Sequence, residues 1–194
     1  MASNVPVFES PYMADKQIQA VMKSLEANLS WLDAAYGRAQ KIERVIGERS
    51  YYLPAAYLGT DTTKFKNEYI ELAPDSRIGN FSFFWMLEPQ VVKVEPFSQA
   101  MMTVPFALIF WFDLRKIFAN NNVRDTEQLK HNILKCLMRQ TVLPNNGYIT
   151  IGKIYETAQA IYREFSINEI DNQFLMHPYG GFRFEGQFKF LEEC

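Results

Sequence analysis

The stretch that most constrains the fold is Phe182-Arg183-Phe184-Glu185-Gly186-Gln187-Phe188-Lys189-Phe190. Its even positions are aromatic except for Gly186, and its odd positions are charged or polar. Successive side chains of a strand point to opposite faces, so this period of two collects four Phe on one face and Arg183, Glu185, Gln187 and Lys189 on the other. A helix would scatter the four rings around its surface, and the segment therefore reads as a half-buried strand. Gly186 marks either a bulge or a close backbone approach. His177-Pro178-Tyr179-Gly180-Gly181 reads as the turn that leads into it. The rest of the core has to be built over those rings.

There are enough apolar residues to do so. Of the 194 residues, 48% are hydrophobic and 15% aromatic, with 16 Phe and 10 Tyr, and that length suits one domain. The second element able to meet the terminal strand is Val104 to Asp113. Phe106, Leu108, Phe110 and Phe112 share one of its faces, and Ala107, Ile109 and Trp111 the other. A strand apolar on both faces is a central strand covered on both sides, or one whose second face meets another subunit.

Two stretches carry a helical period. Ile18, Val21, Met22, Leu25, Leu29 and Leu32 predict a helix over 15–33, capped by Asp15. Leu129, Ile133, Cys136 and Leu137 predict another over 125–139, opened by Asp125 with Gln128 three residues on, as in a capping box. Ile154, Ala158, Ile161 and Phe165 predict a third over 153–164. Gly37 is read as ending the first helical region, followed by a strand from Lys41 to Gly47. Tyr51 to Leu58 is an extended segment broken at Pro54. Gly59 to Thr63 is a loop, Asn67 to Leu72 and Val91 to Val94 are strands, and Phe81 to Met86 is a very apolar segment between turns. Tyr148 to Ile151 is a short strand. The sum is a single α+β domain over 15–194, with a mixed, mostly antiparallel sheet and two or three helices packed on it. Residues 1–14, with Pro6, Pro11 and no period, form an extended N-terminal arm.

Several function classes find no support. A net charge of −2 gives no nucleic-acid footprint. The longest apolar run, Val104 to Phe112, is too short to span a bilayer. Met1 to Ser10 lacks a basic start followed by an apolar run, so no signal peptide is expected. Two cysteines, Cys136 and Cys194, make no disulfide framework and suit a reducing compartment. The expected setting is therefore a cytoplasm, with no membrane partner. Of the two histidines, His131 lies five positions from Cys136, off any zinc-ligand spacing, and His177 sits in a pre-proline turn. Cys136 falls on an apolar helix stripe, which favours burial over reactivity. Gly180 and Gly181 precede no helix and no P-loop lysine. The reading is a non-enzymatic protein with no catalytic residue, no metal and no cofactor. The charged face of the terminal strand reads first as a solvated face and second as a subunit interface.

The order of elements, and above all the chain end, resemble a known group. Tyr162-Arg163-Glu164-Phe165-Ser166 closes a polar helix tail, and Met176-His177-Pro178-Tyr179-Gly180-Gly181 then steps into the Arg/Glu-alternating strand. This resembles the tail-terminator or tail-completion proteins of tailed bacteriophages, which sit at the head–tail joint. The first helix and the 106–139 strand–helix unit fit the same layout, whereas 50–100 is longer and more aromatic than that pattern needs. The resemblance implies a small subunit forming a homo-oligomeric ring, often a hexamer, that caps the tail tube. Its partners would be itself, the tail-tube protein and the head–neck proteins, and its place the virion of a phage or prophage after synthesis in the bacterial cytoplasm. Function would then lie in surfaces. The expected interface residues are Val5, Val7, Phe8 and Tyr12 of the arm, Phe81, Phe83, Phe84 and Trp85, Trp111, and Arg183, Glu185 and Lys189. An extended arm could add a strand to a neighbour's sheet edge. The alternatives are a module binding one protein partner, and a small-ligand binder or enzyme with an aromatic pocket.

Overall fold

A computed structural model describes residues 11–58, 68–74, 78–95, 99–118, 126–139, 143–167 and 176–193. Along the chain these form α1 (Ala14–Asn28), β1 (Ala34–Ile46), β2 (Arg49–Tyr57), β3 (Tyr69–Glu71), β4 (Phe81–Met86), β5 (Val91–Glu95), β6 (Gln99–Asp113), α2 (Leu114–Ile117), α3 (Thr126–Arg139), β7 (Tyr148–Tyr155), α4 (Ala158–Ile161) and β8 (Tyr179–Glu193). Among the described residues the strands make one eight-stranded open sheet in the order β3-β2-β1-β4-β6-β8-β7, with β5 pairing β6 beside β4. There, only β1 and β4 run parallel; the other pairings are antiparallel. The α+β class expected from the sequence is the one observed.

The sheet is built on β6 and β8, which pair along their whole length from Gln99 opposite Glu193 to Asp113 opposite Tyr179. As the alternation requires, Phe182, Phe184, Phe188 and Phe190 of β8 share one cluster with Phe106, Leu108, Phe110 and Phe112 of β6. The apolar stripes of α1 (Ile18, Val21, Met22, Leu25) and α3 (Leu129, Ile133, Cys136, Leu137) cover that face. The Phe106 and Phe188 rings stack with centroids 4.4 Å apart.

The second face of β6 is also covered from within the chain. Ala107, Ile109 and Trp111 pack with Phe81 and Phe83 of β4, Leu53 and Ala56 of β2, and Ile161, Tyr162, Phe165 and Ile167 from the segment around α4. The central-strand reading of β6 therefore holds without a second subunit. Burying a large aromatic side chain stabilises by about 2–3 kcal/mol, and Phe81, Phe83, Phe106, Phe110, Phe112 and Trp111 are all fully buried.

Several boundaries differ from the sequence reading. The first helix stops at Asn28, and Leu29 and Leu32 enter the core from the connection that follows. Gly37 lies inside β1 rather than ending a region. Pro54 does not break β2: its carbonyl accepts from Leu72 N at 2.8 Å, while its missing N–H falls where β3 pairing has ended, after Glu71 opposite Ala55. The expected third helix is mostly absent. Lys153 to Tyr155 extend β7 by pairing with Glu185 to Arg183, and only Ala158–Ile161 is helical, so a sheet ladder overrides the local period. Tyr179 to Gly181 belong to β8 rather than to a turn. The expected 59–63 loop, Asn67 and the Asp125 cap lie outside the described residues.

Gly186 is a site of close approach. A Cβ there would lie 2.0 Å from Thr150 O, and the bulge sits on the partner strand, between Ile151 and Lys153.

Candidate interaction surfaces

One proline and a buried clasp shape the side of the sheet where β1 lies. Pro105, in the middle of β6, has no N–H to offer on the side of β4 and β5. Its carbonyl accepts from Leu87 N at 3.0 Å; β4 stops opposite Phe106 and β5 starts opposite Thr103. The missing donor thus coincides with the break between two strands that occupy the same side of β6. At the other end of β4, Asn80 ties three elements together. Its Nδ2 donates to Trp31 O at 2.8 Å, its Oδ1 accepts from Asp113 N at 2.9 Å, and its own N donates to Asp33 Oδ2 at 2.7 Å. This clasp starts β1 and β4 side by side, with Ala34 opposite Phe81.

The two strands do not stay together. Their pairing runs through Ala34, Ala35 and Arg38 with an irregularity, and from Ala39 onward β1 pairs with β2. The β1–β2 hairpin then leaves the main sheet, and its outer part, from Glu43 to Tyr52, is largely exposed, including Val45, Ile46 and Tyr52. Its Arg44 Nη2 reaches Glu71 Oε2 of β3 at 2.6 Å. On the other side of the opening, β5 pairs with β6 alone among the described residues, and its Val91, Val92 and Val94 are exposed, Val94 to 74%.

Between the hairpin and the run that joins β4 to β5 lies a cleft of about 910 Å³. Its walls are Gly37 to Lys41 of β1 and the run Trp85 to Glu88 with Gln90 between β4 and β5; Ala56, Tyr57 and Tyr69 close the hairpin side. Asp15 of α1 reaches it from one layer and Glu164 from the opposite layer, so the opening passes from one face of the sheet to the other. Burial pushes the Asp15 carboxyl up; Arg38 pulls it down, and the net position stays above the ordinary aspartate range.

The polar face of β8 carries a charge cluster. Arg183 is fully buried, and its Nη1 and Nη2 donate to Glu164 Oε2 and Oε1 at 2.6 and 2.7 Å. Its Nε donates to Glu185 Oε1 at 2.7 Å, and Nη1 also reaches Ile161 O at 3.3 Å. Arg163 Nη2 meets the same Glu185 oxygen at 2.6 Å. Burial pushes the Glu164 carboxyl up, but the hydrogen bonds and charge of Arg183, joined by Arg163, more than offset this and hold it below the ordinary glutamate range. The reading of this face as solvated, or as a subunit interface through Arg183, is corrected: the guanidinium is engaged in holding the α4 segment to the sheet. Glu185 is largely covered as its partner, and Lys189 lies half-buried with its Nζ 6.0 Å from the Tyr148 ring centroid.

The aromatic interface expectation is corrected likewise. Phe81, Phe83, Phe84 and Trp111 are fully buried in the chain's own core, and none is offered to a partner by this fold. Trp85 is half-buried, against Phe165 at 5.0 Å between ring centroids, and borders the cleft. Tyr12 is exposed. Val5, Val7 and Phe8 lie outside the described residues. The exposed apolar residues of the hairpin and of β5 were absent from the expected interface. The available signals were Val91-Val92-Lys93-Val94, apolar on both strand faces, and the adjacent Val45-Ile46 before Gly47.

His131 and His177 are both exposed and on separate elements, and Cys136 is buried with its Sγ 3.7 Å from Ser24 O. Among the described residues, no group of three His, Cys, Asp or Glu side chains could hold a metal ion, and no helix is long and apolar enough to cross a membrane. No protein-family model matches the chain, and no curated protein matches it significantly.

Proposed function

We propose that this chain is a non-enzymatic structural subunit of a phage or prophage, of the tail-terminator kind, which assembles with copies of itself into a ring at the head–tail junction and meets the tail-tube and neck proteins in the virion. The observation that carries this reading is the open sheet with unlike free sides. Among the described residues, one side bears the exposed hairpin and β5, which pairs with β6 alone, and the far side ends in β7, whose Tyr148 and Ile154 are exposed. Cyclic head-to-tail assembly needs two different complementary patches on each subunit. A closed, well-packed core beneath them suits a protein whose work is done at its surfaces. The resemblance of the chain end to tail-terminator proteins supplies the setting.

Negative-stain imaging of the purified protein tests this reading. Closed rings with a central opening are expected. Fields of isolated particles of single-subunit size at every concentration would count against it, and would favour a module that binds one foreign partner through the cleft.

A further inference from the structure

We propose that Asn146 is a site of spontaneous conversion to aspartate and isoaspartate, and that the fold suppresses this conversion through the hydrogen bonds of the Gly147 N–H. Residue 146 is then a covalent record of how often the 143–147 loop opens. This goes beyond the assembly reading and does not depend on it.

Asn146-Gly147 is the only Asn-Gly step in the sequence. The backbone nitrogen that follows an asparagine attacks the side-chain Cγ. A C–N bond forms, the Cγ–Nδ2 bond breaks, and ammonia leaves with the proton of the attacking nitrogen. Water then opens the cyclic imide at either carbonyl. One opening gives aspartate; the other routes the chain through Cγ and gives isoaspartate. No oxidant or reductant takes part. Glycine at the second position hinders the attack least, because it has no side chain.

The turn nevertheless needs both residues. Asn145 and Asn146 have φ of 57° and 52°, in the left-handed region that Asn adopts more readily than most side chains. Gly147 is buried, and a Cβ there would lie 2.7 Å from Gln17 Oε1 and 2.8 Å from Pro144 O.

The same loop restrains the nucleophile. Gly147 N donates to Pro144 O at 3.0 Å and to Leu143 O at 3.2 Å, and Leu143 N donates back to Gly147 O at 3.0 Å. The attacking nitrogen has to give up its proton, and these bonds hold that proton in place. The loop is seated in turn by α1 and β8. Gln17 Nε2 donates to Pro144 O at 3.0 Å, Leu191 N to Asn145 O at 3.2 Å, and Asn145 Nδ2 to Glu192 Oε2 at 3.1 Å. Asn146 itself is exposed, so water reaches it. Conversion therefore waits for a local opening, and the rarity of that opening sets its rate. Once formed, the new carboxylate shares a small hollow with Glu192, and like charges there oppose reclosure.

The test compares the full chain in mildly alkaline buffer, folded and unfolded in guanidinium chloride. Peptides covering 145–147 are weighed by mass spectrometry for the gain of one mass unit, and isoaspartate is counted by enzymatic carboxyl methylation. The unfolded chain is expected to convert at Asn146 faster than at any other asparagine. The folded chain is expected to convert there about tenfold more slowly or less. Hydrogen exchange reads the restraint directly, and a slowly exchanging Gly147 amide is expected in the folded chain. Equal conversion rates in the two states, a Gly147 amide that exchanges as fast as in the unfolded chain, or unfolded-chain conversion that spares Asn146 would overturn the inference.

Discussion

Arg183 lies fully buried beneath the α4 segment and grips Glu164 through both of its terminal nitrogens, at 2.6 and 2.7 Å. A bidentate pair of this kind fixes orientation as well as distance. It pins the layer carrying Ile161, Tyr162 and Phe165 to β8, and so closes the second face of β6.

Removing one member of a buried pair leaves the other charge without compensation, at a cost of about 3–5 kcal/mol. Glu164 keeps some access to solvent, so Arg183→Ala is expected near the lower end, about 3 kcal/mol, in urea unfolding. Arg183→Met, which restores apolar volume, is expected to lose less. A loss within about 0.5 kcal/mol for Arg183→Ala, the range of ordinary surface changes, would contradict the pinning role.

The same pair sets an acid limit. The Glu164 carboxyl is held below its ordinary range in the fold, and so is that of Asp113, where burial pushes up and the hydrogen bonds from Arg115 more than offset it. A carboxyl whose folded pKa is depressed contributes stability that is present above its unfolded pKa, about 4 for these groups, and lost as pH falls through the folded value. Stability is therefore expected to fall below about pH 4, with a shallower slope in Glu164→Gln. Equal acid slopes in urea titrations of the two proteins would remove Glu164 from the account.

Gly186 and Gly152 provide a matched pair. An added Cβ at Gly186 would stand 2.0 Å from Thr150 O, a backbone atom, whereas at Gly152 it would stand 3.8 Å from Glu185 O. Gly186→Ala is expected to lose about 2 kcal/mol or more, as overpacking does, and Gly152→Ala well under about 1 kcal/mol. Similar melting temperatures for the two variants would contradict the close approach of β7 to β8.

The Asn80 clasp holds two groups of the α1–β1 connection, Trp31 O and Asp33 Oδ2, and one at the end of β6, Asp113 N. Asn80→Ala leaves Asp113 N and Trp31 O without their partner, and unsatisfied buried polar groups cost about 1–3 kcal/mol each. A loss of at least about 2 kcal/mol is expected in urea unfolding; an unchanged midpoint would show that β1 and β4 are aligned by packing alone.

What the sequence made legible follows from period. The Phe row of β8, the two-sided apolar run of β6 and the stripes of α1 and α3 each had one geometry that could bury them, and each lies in the core. Local signals failed where long-range pairing outweighed them. Lys153 to Tyr155 carry a helical spacing but meet β8, and Pro54 sits where no donor is needed. The interface expectation failed for a related reason: Phe81, Phe83, Phe84 and Trp111 looked surplus to one core, whereas the sheet has two apolar faces and uses them all. Arg183 reads as a surface residue until Glu164, 19 positions away, is seen to lie over it. The cleft was not legible, because it arises where β1 parts from β4, a pairing that no local pattern encodes.

The claim at the centre of this account is that the hairpin side of the sheet, with the exposed valines of β5, is a site of self-assembly. Light scattering across a concentration series, for the native chain and for Val92→Lys with Val94→Lys, tests it most directly. Both residues are exposed, so folding stability should change by no more than about 0.5 kcal/mol. The account predicts that the native chain approaches a whole-number multiple of 22.6 kDa, and that the double variant remains near the single-chain mass. A native mass of 22.6 kDa at every concentration, or assembly unaffected by the two lysines, would contradict it.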